Sequence, residues 1–184
     1  MLFLYNIIIL IIVVFSPIII SYRILKNKED KERYKEKFSI PSRKRVKGKL
    51  IWFHGASVGE ILSIVPLIKN YEKNKSIAQI LVTSSTLSSS NVLKKFKFKK
   101  TIHQFYPIDT LFLTNKFLKF WKPHMAIFVE SEIWPCMYNN INDKKIPLIL
   151  LNARLTKKTF KKWIKLRDFG RSIFNKITIS YPQN

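Results

Sequence analysis

Short apolar runs alternate with helix-like segments after residue 48, and this alternation limits the possible folds more than any other feature. The apolar runs predict buried strands at 50–54, 80–82, 101–106, 125–129, 147–151 and 177–180. Helical spacing of apolar residues predicts helices at 60–71, 110–121, beyond Pro135 and at 156–168. Strands that alternate with helices imply a parallel sheet covered on both faces. The sequence therefore predicts an α/β fold, a Rossmann-like doubly wound sheet over residues 48–184.

The N-terminal run is long enough for a membrane helix. Residues 2–20 are apolar except at Asn6, Ser16 and Pro17. At about 1.5 Å per residue, a helix of this length can cross the roughly 30 Å hydrocarbon core of a bilayer. We therefore predict a membrane anchor at 1–22, as a transmembrane helix or a monotopic insertion. The alternative is a buried core helix.

Positive charge follows the apolar run and continues through the chain. The region 23–47 is rich in Lys and Arg, and predicts a basic juxtamembrane helix or linker on the cytoplasmic side. Over the whole chain, 34 Lys and Arg residues against 11 Asp and Glu residues give a formal net charge of +23. Such a charge favours nucleic acid, anionic lipid or a phosphorylated substrate as partner, unless it is merely a solvated surface. Because the N-terminus is apolar, we expect an anionic membrane surface and no nucleic acid.

The first polar motif, HGASVGE, lies at residues 54–60, between a predicted strand and a predicted helix. Gly55 and Gly59 allow a close approach that a β-carbon would obstruct. The start of the helix offers unpaired amides, which suit an anion or a sugar hydroxyl. Glu60 is either a functional carboxylate or a charge that stabilises the helix dipole. The spacing of the motif is not GxGxxG, which disfavours dinucleotide binding.

The second motif contains Glu130 and Glu132, directly after the strand predicted at 125–129. Paired carboxylates can act as a general base and its orienting partner. We expect one of them to face the cleft and the other to cap the following helix. The alternative is capping by Glu132, core packing by Trp134 and a Pro135 in the first helical turn.

The third motif contains Asn152 and Arg154, again after a predicted strand. These side chains suit phosphate binding or the positioning of a carboxylate, although a turn and a surface ion pair are equally compatible. Asp109, before the helix predicted at 110–121, is expected to cap that helix. The chain has one cysteine and three scattered histidines, so no metal site is predicted.

Together these motifs resemble those of the bacterial 3-deoxy-D-manno-octulosonate (Kdo) transferases of lipopolysaccharide biosynthesis. The resemblance is carried by HGASVGE at 54–60, HQFYPID at 103–109, VESEIWP at 129–135 and IPLILLNARL at 146–155. It implies the N-terminal, acceptor-binding lobe of the two-lobed GT-B fold. The C-terminal lobe, which binds the donor in this family, is absent from the 184 residues.

The resemblance also implies an activity and a set of site residues. Members of the family are metal-independent, inverting glycosyltransferases that use no cofactor and transfer Kdo from CMP-Kdo to lipid IVA, the lipid A precursor. On this ground Glu60 is expected to be the general base, with Glu130 and Glu132 orienting the acceptor or assisting the base. The substrate-binding residues expected on the same ground are Ser57, Gly59, Asn152 and Arg154. The soluble part is expected at the cytoplasmic face of the inner membrane.

Two departures leave alternatives open. Without a donor lobe, the chain can be one half of a split enzyme whose partner is encoded separately, or a non-catalytic, membrane-bound lipid-binding remnant. The polar stretch 83–90 is Ser-rich where many family members have Gly or Pro, and it is expected to be a loop. A membrane-tethered nucleic-acid binder would leave Glu130 and Glu132 unexplained.

Overall fold

The computed structural model describes residues 1–183 and has the α/β architecture that the alternation predicts. Within this range the strands are β1 (Lys49–His54), β2 (Ile77–Ser84), β3 (Thr101–Phe105), β4 (Met125–Val129), β5 (Leu148–Ala153) and β6 (Ile179–Pro182). The α-helices are α1 (Leu2–Leu25), α2 (Val58–Lys73), α3 (Leu87–Lys94), α4 (Leu111–Trp121), α5 (Pro135–Asp143), α6 (Lys157–Lys165) and α7 (Arg167–Phe174). Asn184, at the end of the predicted domain, lies outside the described residues.

The strands form one parallel sheet in the order β3-β2-β1-β4-β5-β6. The chain moves outward from β1 to β3 and then crosses back to place β4 beside β1. In such sheets a ligand binds outside the carboxyl ends of the strands, at the point where the order reverses. His54, the last residue of β1, is in register with Phe128 of β4. The turns after β1 and β4 therefore lie side by side at this switch point.

Each face of the sheet has its own apolar core, because successive side chains of a strand point to opposite faces. Phe53 of β1 packs with residues of α2 and α3, whereas the neighbouring Trp52 packs with residues of α4, α5 and α7. Both side chains are fully buried. Burying a large aromatic side chain stabilises a fold by about 1.5–3 kcal/mol, so each core holds its helices firmly against the strand that leads into the switch point.

The Ser-rich stretch is not a loop, contrary to the prediction. Strand β2 continues to Ser84, and α3 begins at Leu87. Thr86 caps α3, since its hydroxyl oxygen accepts a hydrogen bond from the amide of Ser89 at 3.2 Å. Hydroxyl side chains compete with the backbone inside a helix but favour its first turn. The apparent loop is therefore a strand end followed directly by a capped helix.

The regions at the two ends also differ from the prediction in detail. The region 23–47, predicted as a basic helix or linker, contains the end of α1 and a short 3₁₀ helix, Arg33–Phe38. The basic helix predicted at 156–168 is divided into α6 and α7, with Arg167 in the left-handed region at φ +26°. The last strand starts two residues later than expected and extends to Pro182.

Helix α1 is continuous through Pro17 and has the length and composition of a candidate membrane span. Its most apolar stretch has a mean hydropathy of 2.8, and only 11% of that stretch is buried. This low burial does not fit the alternative of a core helix. The helix contacts α5, so it lies outside the core that covers Trp52.

Candidate functional site

The turn after β1 holds Glu60 in a closed network of local hydrogen bonds. Ser57 is the N-cap of α2, and its hydroxyl oxygen accepts from the Glu60 amide at 3.2 Å. The same hydroxyl donates to Glu60 Oε1 at 2.8 Å, and the Ala56 amide donates to Oε2 at 2.8 Å. This arrangement is a variant of the capping box, in which the carboxylate accepts from the amide of Ala56, directly before the N-cap, and not from that of the N-cap itself. Glu60 is 8% exposed, so its carboxylate is held in one orientation near the helix start.

The two glycines of this turn have different surroundings. A β-carbon at Gly55 would lie 3.0 Å from Cβ of Glu60, so a side chain there would press on the capping box. At Gly59 a β-carbon would meet only the Ser57 hydroxyl, at 3.9 Å. Ser57 and Gly59 are both exposed. The start of α2 is therefore open on the side where the predicted substrate-binding residues lie.

The turn after β4 directs Glu132 toward β1. Its Oε2 lies 3.2 Å from Nε2 of His54 and accepts a hydrogen bond from Nε1 of Trp134 at 2.9 Å. Capping of α5 by Glu132 was one expectation, and it was wrong. Trp134 occupies the N-cap position and Pro135 lies in the first helical turn. The carboxylate is drawn to His54 instead because the parallel register brings the two strand ends together.

His54, for which no role was predicted, connects the strand ends to the interior. Trp52 Nε1 donates to the hydroxyl of Thr83 at 2.9 Å, and this hydroxyl lies 2.9 Å from His54 Nδ1. If the Thr83 hydroxyl donates to Nδ1, then His54 carries its proton on Nε2 and donates it to Glu132. In that tautomer a continuous chain of donors runs from the core to the Glu132 carboxylate.

An aromatic cluster encloses this histidine. The ring of Tyr106 stacks on His54 at a centroid distance of 3.9 Å, and Trp134 lies 5.1 Å from Tyr106. The Tyr106 hydroxyl is buried and has no hydrogen-bond partner among the described residues. Burial, which is the largest cause, raises the pKa of Tyr106 well above its ordinary value.

Glu130 points to a different place from Glu132, as expected. It lines a cavity of about 310 Å³ together with Arg154, Ile133 and Leu155. Its backbone is in the left-handed region at φ +57°, and its amide donates to the Leu151 carbonyl at 2.8 Å. Left-handed backbone costs a residue with a β-carbon roughly 1–2 kcal/mol. The hydrogen bond to β5 helps to hold Glu130 in this conformation.

Of the predicted binding residues in the third motif, Asn152 lies in β5 and Arg154 directly follows this strand. Arg154 is exposed and borders the cavity with Glu130, whereas Asn152 is exposed with a left-handed φ of +51° at an irregularity of the strand. Asn tolerates this conformation better than most residues. Asn152 belongs to β5, so the alternative that it makes a turn is wrong.

Asp109 caps a different helix from the one predicted. The N-cap of α4 is Thr110, while the Asp109 carboxylate accepts from the amides of Cys136 and Met137 at the start of α5. The distances are 3.1 and 2.8 Å. Burial raises the pKa of Asp109 to about 6, although these amide hydrogen bonds act in the opposite direction. The side chain of Asp109 thus ties the end of β3 to the helix behind Glu132.

An apolar cavity of about 440 Å³ lies beside the Glu130 cavity, between α6 and α7. The two cavities share Leu155 and Phe174 in their walls. Trp163 and Phe160 supply further apolar surface to the larger cavity, and Arg167 borders it. Volumes of this size are typical of small-molecule sites.

The structure brings some of the predicted residues together and leaves others apart. Glu60 and Glu132 both lie at the switch point, separated by His54 and the turn that follows it. Within residues 1–183, no hydrogen bond joins Glu60 to Glu130 or Glu132. No roles were predicted for His54 and Tyr106 from the sequence. Their positions at the ends of two predicted strands were a usable signal, because those ends share one edge of the sheet.

The sequence profile of the family described as 3-Deoxy-D-manno-octulosonic-acid transferase (kdotransferase) matches residues 32–184. The chain is 44% identical over 133 residues to the 3-deoxy-D-manno-octulosonic acid transferase of Rickettsia felis. It is 40% identical over 151 residues to the probable mitochondrial 3-deoxy-D-manno-octulosonic acid transferase of Arabidopsis thaliana. The enzyme of that name from Haemophilus influenzae is 26% identical over 134 residues.

These matches cover most of the chain but a smaller part of each relative. They span 71%, 80% and 73% of this chain, in the order given above. They span 28%, 34% and 31% of the corresponding relatives. The chain thus corresponds to about a third of the length of the relatives it matches.

Proposed function

The chain belongs to the 3-deoxy-D-manno-octulosonic-acid transferase family, and from this premise we propose that it supplies the acceptor-binding lobe of a Kdo transferase. The complete enzyme would transfer Kdo from CMP-Kdo to lipid IVA in lipopolysaccharide biosynthesis. In this proposal a second lobe holds the CMP-Kdo donor, either on a longer form of the chain or on a separate one. The relatives are about three times as long as the matched region, which supports a second lobe.

The observation that carries the proposal is the clustering of two glutamates at the switch point of the sheet. Glu60 lies at the turn after β1, and Glu132 reaches the last residue of β1 from the turn after β4. Ligands of doubly wound sheets bind at this point. An acceptor hydroxyl that entered between the two turns would meet fixed carboxylates and the open start of α2.

We propose Glu60 as the general base. Its Oε2 is held by the backbone amide of Ala56, which fixes the carboxylate. Its Oε1 is held only by the hydroxyl of the exposed Ser57, which can rotate away when a substrate hydroxyl arrives. Oε1 would then take the proton of the acceptor hydroxyl. The hydroxyl oxygen bonds to the anomeric carbon of Kdo as the bond from that carbon to the CMP phosphate oxygen breaks.

The other predicted residues have supporting roles in this proposal. Glu132 and Glu130 would orient the acceptor, the first through its hydrogen bond to His54 and the second from the cavity that it shares with Arg154. Arg154 would pair with a phosphate of the acceptor, since a guanidinium forms two parallel hydrogen bonds with such a group. Ser57, Gly59 and Asn152 would contact the sugar from the exposed turns.

A lipid acceptor fits the surface around the site. The apolar cavity between α6 and α7 adjoins the Glu130 cavity, and α6 carries lysines on its polar side. Basic helices with an aromatic apolar face are typical of anionic membrane surfaces. We propose an anchor at 1–22, a basic linker at 23–47 and the acceptor lobe at 48–184. The lobe would face the cytoplasm at the inner membrane, as its basic flank indicates.

The test is a transfer assay with CMP-Kdo and lipid IVA. The chain is supplied with the C-terminal lobe of a relative, and the Kdo added to lipid IVA is measured by mass spectrometry. We expect transfer with both lobes present and little with either lobe alone. Absence of transfer by the combined lobes, under conditions in which an intact relative is active, would contradict the proposal. Binding of lipid IVA without transfer would instead favour a lipid-binding remnant.

A further inference from the structure

One face of α1 is partly or fully covered along the whole length of the helix. The partly or fully buried residues recur at helical spacing: Leu2, Tyr5, Asn6, Ile9, Val13, Ser16, Ile20, Arg23 and Ile24. All other residues of the helix are exposed, including Phe3 at 75% and Ile18 at 70%. The side chains of Asn6, Ser16 and Arg23, which are costly in hydrocarbon, all belong to the contacting face. The outward face is almost entirely apolar.

Specific hydrogen bonds attach the N-terminal half of α1 to the lobe. The hydroxyl of Tyr5 donates to Asp109 Oδ2 at 2.9 Å. The amide of Leu111 donates to Asn6 Oδ1 at 2.9 Å, and Cys136 Sγ lies 3.8 Å from the same oxygen. These partners lie at the beginnings of α4 and α5. Tyr5 and Asn6 therefore bind the lobe at the edge that holds the carboxyl ends of the strands.

The other half of the helix is bound to the same body. Ser16 is 4% and Ile20 7% exposed. Arg23 forms an ion pair with Glu29 of the linker at 3.1 Å, and Glu29 also pairs with Lys37. The Lys37 carbonyl in turn accepts a hydrogen bond from the Ile108 amide of the lobe at 2.9 Å. Asn6 and Ile20 are about 21 Å apart along the helix axis at 1.5 Å per residue. A helix that crosses a bilayer must place its ends on opposite sides of a hydrocarbon core of roughly 30 Å. One water-soluble body cannot hold both ends of such a helix.

We propose that α1 lies along the lobe within one leaflet of an anionic bilayer and does not cross it. Its outward face enters the acyl chains, while its contacting face keeps Asn6, Ser16 and Arg23 out of them. The mean hydropathy of 2.8 and the basic residues that follow the helix identify the partner as an anionic lipid surface. Because Tyr5 and Asn6 sit at the carboxyl edge of the sheet, this edge lies at the height of the lipid head groups.

This arrangement also defines the route by which a lipid acceptor reaches the site, and this extension rests on the proposed function. A lipid acceptor would reach Glu60 and Glu132 sideways from the leaflet that holds α1, with its head group already at the level of the site. Its acyl chains would not have to leave the bilayer. The membrane geometry itself requires no catalytic activity, so it can be tested separately.

The first test measures which side of the membrane the start of α1 faces. Leu2→Cys and, as the matched control at the other end of the helix, Ser21→Cys are placed in the full chain in sealed phosphatidylglycerol and phosphatidylethanolamine vesicles. Protease digestion of the lobe identifies the vesicles with the lobe outside, and a membrane-impermeant maleimide is added. The native Cys136 is buried. We expect both new cysteines to be labelled from the side of the lobe.

Labelling of Leu2→Cys only from the opposite side would overturn the proposal. If neither side labels it, an epitope tag placed before Met1 gives the answer, because a protease added on the side of the lobe removes the tag only in the proposed arrangement. Chains that associate with one another and do not sediment with vesicles would also overturn it, since a second copy would then cover α1.

The second test measures the contact between α1 and the lobe. The double variant Tyr5→Phe, Asn6→Leu removes two hydrogen bonds and makes the helix a better membrane span. We expect its Tm in detergent to fall by about 5 °C, because two hydrogen bonds between the helix and the lobe are lost. Ile8→Leu on the outward face is the control and should leave the Tm unchanged. An unchanged Tm in the double variant would contradict the contact, whether or not the chain supports Kdo transfer.

Discussion

The turns after β1 and β4 each bring a glutamate to the same switch point, but they hold it by different means. Within residues 1–183, both hydrogen-bond partners of the Glu60 carboxylate, Ala56 and Ser57, lie within four residues of it. Glu132 reaches His54, which is 78 residues away in the chain. The first arrangement depends on a local helix cap, and the second depends on the register of two strands.

This difference separates two ways in which a carboxylate can be positioned. The cap at Glu60 depends only on residues next to it in the chain, so Glu60 keeps its orientation if the rest of the sheet shifts. The contact of Glu132 requires His54 to pair correctly with β4, and it is lost if that register changes. We therefore expect variants of the first turn to affect activity more than stability, and variants of the second to affect both.

The largest effect is expected for Glu60→Gln, measured as Kdo transfer by the combined lobes. Loss of a general base should lower the rate by about 10²–10⁴-fold, because an amide cannot take the proton of the acceptor hydroxyl. The unfolding midpoint should change little, since Gln can still accept the hydrogen bond of the Ala56 amide. Asp143→Asn, at an exposed position, is the control. Full activity of Glu60→Gln would remove the general-base assignment and leave Glu60 as a helix cap.

The pH dependence of stability should report on Asp109, which holds the helix behind the second turn. Its pKa is raised from the ordinary 3.8 to about 6 in the folded chain, mainly by burial. The folded state therefore holds this proton more tightly than the unfolded state. The contribution of Asp109 to the unfolding free energy is therefore complete below about pH 4, and it is lost as the pH rises through about 6.

Asp109→Asn should remove this loss between about pH 4 and 6, as measured by urea unfolding across that range. Asp143→Asn should keep the slope of the parent chain. An Asp109→Asn chain whose stability falls over the same range as strongly as the parent would show that other groups cause the effect.

Glu132→Ala tests the long-range contact. It leaves the His54 and Trp134 nitrogens without their partner, and we expect a loss of about 1–3 kcal/mol in the unfolding free energy. Glu130→Ala is the matched control in the same turn, because its side chain makes no hydrogen bond within residues 1–183. It should cost less than about 0.5 kcal/mol. Equal losses in the two variants would mean that the contact with His54 does not stabilise the turn.

Ser57→Ala tests the local contact and should have a smaller effect. Removal of an N-cap costs about 1 kcal/mol, measurable by chemical denaturation. The control is Ser63→Ala in the same helix, where Ala is favoured and no loss is expected. A loss for Ser57→Ala as large as that for Glu132→Ala would contradict the distinction between the two turns.

The smallest effect is expected for Tyr106→Phe. Its buried hydroxyl has no partner among the described residues, so its removal should leave stability unchanged or raise it by up to about 1 kcal/mol. Thermal unfolding measures this change. A clear destabilisation would mean that the hydroxyl has a partner in solution, such as water.

The sequence was sufficient for the features that depend on local patterns. The alternation of apolar runs predicted each strand of the sheet, and the motif at 54–60 predicted a glutamate at a helix start, because capping and amphipathic spacing act within a few residues. It failed where hydroxyl side chains were ambiguous: the Ser-rich stretch was expected to be a loop, and Thr86 makes it a capped helix.

Only the tertiary structure decided which side chains meet. Asp109 was expected to cap α4, which follows it in the chain. It caps α5 instead, because the crossover from β3 to β4 places the start of α5 beside Asp109. His54 acquired its partner Glu132 in the same way, from the parallel register of β1 and β4. Local propensities determine where strands and helices begin. Contacts between residues far apart in the chain depend on the order in which strands pair, and no local pattern encodes that order.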